Sequence, residues 1–81
     1  LTVEEIAQAA EVLDAAAVGL SISIFGASAQ TTTEIVTLRK RLHTETRLWV
    51  GGAGASHLKD LPGGVDVLSS LDDLESALQK I

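Results

Sequence analysis

Two stretches decide the fold: Ala16-Ala17-Val18-Gly19-Leu20-Ser21-Ile22-Ser23-Ile24 and Arg47-Leu48-Trp49-Val50-Gly51-Gly52. From Ala16 to Leu20 the first is apolar without interruption, the pattern of a strand covered on both faces. It then turns polar at Ser21 and Ser23, which share one face at a spacing of two. The second is a short strand that runs straight into the glycines of Gly51-Gly52-Ala53-Gly54-Ala55. Between them lie a small-residue loop, Gly26-Ala27-Ser28-Ala29, and a helix whose Ile35, Leu38 and Leu42 recur at helical spacing, with Thr31 and Glu34 as its capping box.

Working outward, Thr2 followed by Glu5 reads as a capping box that opens an N-terminal helix, with Leu1 and Ile6 at the hydrophobic-staple positions. Ile6, Ala9 or Ala10, and Leu13 fall on one face, and Asp14 ends that helix. Beyond the glycines, a short helical stretch from Ser56 to Leu61 stops before Pro62-Gly63-Gly64, and Val65-Asp66-Val67-Leu68 is a third strand. Ser70 with Asp73 caps a last helix, whose Leu71, Leu74, Leu78 and Ile81 make one apolar stripe. The order α-β-α-β-α-β-α implies right-handed crossovers and a parallel sheet. The expected fold is therefore α/β: a three-layer, flavodoxin-like (Rossmann-like) parallel sheet truncated to about three strands.

The leading helix has no strand before it. Residues 1–81 are therefore expected to be the C-terminal part of a domain whose N-terminal β-α-β portion is absent. The chain begins with Leu1 and contains no Met, which also fits an excised piece.

Composition narrows the function classes. Hydrophobic residues make up 46% of the 81, with one Trp, one Phe and no Tyr, which suits an Ala/Val/Leu/Ile interior and not a disordered tail. The absence of Cys excludes disulfides and thiolate metal sites, and two histidines, His43 and His57, are too few for a structural zinc site. A net charge of -5 argues against nucleic-acid contact by this segment. The one cationic cluster, Arg39-Lys40-Arg41, sits at a helix end, where it complements the dipole. His43 sits at the same end, and both histidines read as surface residues. No apolar run is long enough to span a bilayer and no leader pattern precedes one, so the expectation is a soluble, cytoplasmic piece with no membrane contact.

In open α/β folds ligands bind beyond the carboxyl ends of the strands. Ser21-Ile22-Ser23 closes the first strand and Gly51-Gly52-Ala53-Gly54-Ala55 follows the second, so adjacent parallel strands would set them side by side. Glycines there admit a flat or bulky ligand close to the backbone, and serines offer hydroxyls; equally, small residues suit tight strand-to-helix turns. A dinucleotide fingerprint does not fit. His57 stands at its third glycine position, and Leu68-Ser69-Ser70 brings no acid to the end of the next strand.

The segments Val18-Gly19-Leu20-Ser21 and Trp49-Val50-Gly51-Gly52 resemble the second and third parts of the Asp-x-His-x-x-Gly, Ser-x-Leu, Gly-Gly pattern of cobalamin-binding domains. The extended glycine run and the ending from Gly64 to Leu74 are most similar to cobalamin-dependent regulators of the MerR type. The resemblance covers nearly all of the chain but only about the last 60% of such a domain. It implies that Ser21 hydrogen-bonds the cofactor's buried nucleotide tail, that Gly51 and Gly52 line the slot for it, and that Gly54 shapes the same loop. Ser23 would be the third site position, where the family usually has Leu. The Asp-x-His-x-x-Gly part is missing, so no cobalt-ligating histidine is present, and His57 does not stand in its place.

The leading expectation is thus the tail-binding half of a cobalamin-binding sensory domain in a transcriptional regulator, not an enzyme and not a tight cobalamin binder by itself. The alternatives are the corrinoid-carrying domain of a methyltransferase or mutase, and a small α/β interaction module that takes no cofactor. Asp72-Asp73 and Glu4-Glu5 are first-turn acids serving helix starts. In the flavodoxin-like strand order the Ser21 strand would pair with a missing one, so its free edge is expected to make a homo-oligomer.

Overall fold

The structure, a computed structural model, describes residues 2–26 and 28–81. Leu1 of the expected staple and Ala27 of the expected loop lie outside the described residues. The elements are α1 (Val3–Val12), β1 (Ala17–Ser21), α2 (Ala29–Arg41), β2 (Arg47–Gly51), β3 (Val65–Val67) and α3 (Leu71–Leu78), with single 3-10 turns at Ile24–Gly26 and Ala55–His57. The strands form one parallel sheet in the order β1-β2-β3. This is the expected three-layer, flavodoxin-like α/β fold.

α1 starts as its capping box requires: the Glu5 N–H donates to the Thr2 hydroxyl (3.1 Å) and the Thr2 N–H to the Glu5 carboxylate (3.0 Å). It stops in a Schellman motif. The Ala15 N–H reaches the Ala10 carbonyl and the Asp14 N–H that of Glu11, with Asp14 in the left-handed region at φ 51°. Asp tolerates that conformation better than most side chains. The stop turns Leu13 outward, 76% exposed, so it does not share the inner face expected for it. Val3, Ile6, Ala7 and Ala10 do that work.

α2 begins three residues earlier than the Thr31/Glu34 pair suggests. Ser28 is its N-cap and accepts from the Thr31 N–H, while the Thr31 hydroxyl donates back to the Gly26 carbonyl. The stretch from Ser56 to Leu61 is not a helix. One 3-10 turn ends at Leu58, which is extended, and Asp60 is left-handed at φ 60°.

Alternation along β2 separates the two faces of the sheet. Leu48 and Val50 face α1 and α2 and form, with Ile35, Leu38, Leu42 and Ala55, the main core; Leu48 and Val50 are fully buried. Trp49 faces the other way and is buried together with Ala77 of α3. The α3 cap is as expected, the Asp73 N–H donating to Ser70 Oγ (3.1 Å). Of its expected apolar stripe only Leu74 packs, and that one is half-buried, while Leu71, Leu78 and Ile81 are exposed.

Arg39 does more than complement a dipole. Its guanidinium donates to three backbone carbonyls, of His43 (2.6 Å), Thr46 (2.7 Å) and Gly64 (3.2 Å), and so ties the end of α2 to the loops that enter β2 and β3. Arg41 pairs with Glu4 of α1 at 2.8 Å, an exposed bridge of small worth. Replacing Arg39 with Met keeps the stem and deletes the donors. Urea unfolding of that variant is expected to show a loss of about 1–3 kcal/mol; an unchanged midpoint would mean that the three carbonyls are as well served by water.

Candidate functional site

The carboxyl ends of β1 and β2 are fastened together by backbone. Ser21 lies beside Gly51 in the register. Past it, the Ile22 N–H donates to the Gly51 carbonyl and the Gly54 N–H to the Ile22 carbonyl, both at 2.8 Å. Two glycines make this possible. A Cβ on Gly52, which sits at φ 95°, would stand 2.5 Å from the Ile22 carbonyl oxygen, and one on Gly54 would stand 1.9 Å from that of Ser23. No other residue fits either position without pushing the loops apart.

This joint places the five candidate residues in two groups. Ser21, Gly51 and Gly52 line an open cleft of about 470 Å³. Ser23 and Gly54 do not line it and belong to the joint instead. The Ser23 hydroxyl accepts from the Gly26 N–H (3.1 Å) and so closes the Ile24–Gly26 turn.

The cleft lies over the face of the sheet that α3 covers only in part. Gly19 and Ser21 of β1 and Gly51 of β2 form a floor almost without side chains; a Cβ on Gly19 would meet nothing within 4 Å. Trp49, Leu68, Leu71 and Leu74 are the apolar walls, with Ser69 and Ser70 at the start of α3. Gly19 and Trp49 were not among the expected site residues. Counting in twos back from Ser21 and Gly51 puts both on the same face, so the signal was present.

No side chain lining the cleft ionises. Its polar resources are hydroxyls; the Trp49 Nε1–H is buried and has no hydrogen-bond partner among the described residues. Leaving such a donor unmet costs about 1–3 kcal/mol. At the rim, Asp73 accepts from the N–H and hydroxyl of Ser69, both at 2.9 Å, and these bonds hold its carboxyl below the ordinary Asp value. The arrangement can therefore hold a flat, uncharged group against a small-residue floor and meet it with hydroxyls. It offers no acid, base or nucleophile pair of its own.

A larger cavity, about 750 Å³, lies at the opposite end of the strands, between Ala7, Ala10 and Asp14 on one side and Arg41, His43 and Thr46 on the other. It is the less suitable site, since ligands of open α/β sheets sit at the carboxyl ends. His43 and His57 are both exposed, and the described residues contain no cluster of metal-ligating side chains. No helix among them is long and apolar enough to cross a membrane.

No protein-family profile matches the chain, and neither the curated proteins nor the solved structures give a significant match.

Gly54→Ala is expected to cost about 1–3 kcal/mol in thermal or urea unfolding, because the new methyl overlaps a backbone oxygen. Gly19→Ala, with open space around it, is expected to stay within about 0.5 kcal/mol of the parent or to gain slightly. Equal losses at the two positions would contradict the division between joint and cleft. A second expectation concerns pH. The Asp73 carboxyl should titrate below 3.8 when followed by carbon NMR. Because its folded pKa is depressed, its contribution is present at neutral pH and is lost as pH falls through the folded value. A midpoint at or above the ordinary value would remove the Ser69 bonds from the solution structure.

Proposed function

We propose that this chain supplies the nucleotide-tail-binding half of a cobalamin-binding sensory domain of a MerR-type transcriptional regulator. One observation carries the reading: Ser21 and Gly51, the two positions that the motif resemblance singles out most sharply, are neighbours on the floor of one cleft at the carboxyl ends of the strands.

The fit to a nucleotide tail rests on shape and on donors. A planar base needs a floor without side chains and an apolar wall, which Gly19, Gly51 and the Trp49 ring supply. Ser21 on the floor and Ser70 at the start of α3 are the hydroxyls with a proton left to donate to a ring nitrogen or a ribose oxygen, since Ser69 Oγ–H is spent on the Asp73 carboxylate while Ser70 Oγ only accepts, from the Asp73 N–H. A phosphate is less well served, because Asp72 and Asp73 put negative charge on the first turn of α3. The bound corrinoid brings the cobalt chemistry. This chain's part is to hold and orient the tail and to exclude water from it. No Asp-x-His-x-x-Gly segment occurs in the sequence, so a cobalt-ligating histidine has to come from elsewhere, and the chain alone binds weakly.

A second reading, a small α/β interaction module that takes no cofactor, has its own support. Gly52 and Gly54 are required by the contact between the two loops whether or not a ligand is ever bound.

Trp49 is the only Trp and the chain has no Tyr, so its fluorescence reports on its own surroundings, the cleft and the small adjoining pocket beside Arg47 and Asp66. Titration with the dimethylbenzimidazole nucleoside of the cobalamin tail is expected to give a saturable change. Ser21→Ala should weaken it about five- to tenfold, the worth of one hydrogen bond of about 1 kcal/mol. No saturable change at millimolar nucleoside would favour the cofactor-free module.

A further inference from the structure

The sheet has two edges, and they are built differently. β3 is three residues long and carries an exposed charge, Asp66, two of the usual guards against unwanted strand pairing. β1 is five residues long, Ala17-Val18-Gly19-Leu20-Ser21, with no charge and no Pro. Its inner neighbour takes only half of its backbone. The Arg47 N–H donates to Ala16 and the Ile22 N–H to Gly51, so the even-numbered residues of this stretch face β2. In a parallel ladder, the N–H and C=O groups of Ala17, Gly19 and Ser21 then point outward, unpaired among the described residues.

We propose that this edge pairs antiparallel with β1 of a second copy of the chain, about a two-fold axis at Gly19, giving one continuous sheet. In that register Gly19 faces the partner's Gly19, and Ala17 faces the partner's Ser21 in both directions. Each such pair exchanges both of its outward hydrogen bonds. The side chains on the cleft face of the seam are a methyl, a hydrogen and a hydroxymethyl, so nothing obstructs close approach.

Two further features select a second copy as the occupant. The chain carries a net charge of -5, which makes two copies repel over most of their surface. From Ala15 to Thr33, however, no residue is ionisable, and this stretch contains the whole edge. Three of the exposed large apolar residues also lie at opposite ends of β1: Val12 and Leu13 just before it, and Ile24 just after it. Only an antiparallel arrangement brings the Leu13 end of one copy to the Ile24 end of the other, and by symmetry it does so twice.

The inference is independent of any ligand, since these groups lie in the plane of the sheet and the cleft lies over its face; it concerns residues 1–81 as they stand, because in the proposed intact domain the same edge would take a further strand of that domain. Sedimentation equilibrium of the 81-residue chain from 5 to 200 µM is expected to give twice the 8.4 kDa chain mass at the upper end. Gly19→Lys puts its Cβ where nothing lies within 4 Å in one chain, but sets two lysines against each other across the axis. It should return the mass to that of a monomer with an unchanged far-ultraviolet spectrum. An isotope-filtered experiment on a mixed labelled and unlabelled sample should show contacts between Gly19 amides and α-protons of different chains. A monomer throughout the range overturns the proposal, leaving the edge to a strand of other origin. So does a dimer that survives Gly19→Lys and shows no Gly19 contact between chains.

Discussion

Everything at the carboxyl ends of the strands depends on two loops being pressed together through backbone alone. Gly52 and Gly54 lie where any side chain would strike the carbonyls of Ile22 and Ser23, and the hydrogen bonds between Ile22, Gly51 and Gly54 exploit that closeness. The joint fixes where β1 and β2 stop relative to one another, and so fixes Ser21 beside Gly51. It also frees the residues just before it to be small for another reason. Gly19 is not needed by any packing contact, and the space above it is open.

The two faces of the sheet follow from one alternation and end in different states. On one face, Leu48 and Val50 bury completely against Ile35 and Leu38, and α1 closes the layer. On the other, α3 covers Trp49 through Leu74 and Ala77 but leaves β1 bare and Leu71, Leu78 and Ile81 exposed. A small domain has little apolar surface to bury, and a half-covered face is a poor use of it unless something else occupies the space. The cleft and the free edge are two aspects of this asymmetry, one perpendicular to the sheet and one in its plane.

The element order, the Thr2/Glu5 box and the Ser70 cap were legible because they depend on residues three or four apart. The misreadings share a cause, which is competition between equally good local signals or contacts distant in sequence. Ser28 and Thr31 are both good N-caps; Ser28 takes the role by accepting from the Thr31 N–H, which leaves Thr31 inside the first turn with its hydroxyl donating to the Gly26 carbonyl. Residues 56–61 form no helix because a segment so short cannot offset its nucleation cost and meets a left-handed Asp60. Arg39 looked like a dipole charge, and its real partners at Thr46 and Gly64 become visible only once β2 and β3 are placed. The periodicity of α3 named a stripe of which only Leu74 packs, while Ala77, outside it, is the buried residue of the helix, because spacing alone says nothing of how much of a stripe the sheet covers. At the candidate site, the pairing of Ser21 with Gly51 was legible from strand order, whereas Ser23 and Gly54 were drawn away by the joint between the loops.

The most direct measurement is an amide and indole chemical-shift map of the chain titrated with the dimethylbenzimidazole nucleoside. Shifts concentrated at Gly19, Ser21, Gly51 and the Trp49 indole N–H, with Gly54 and His57 little changed, are the expected result. Shifts centred on His43 and Thr46 at the far end of the strands, or none at saturation, would contradict the placement of the site.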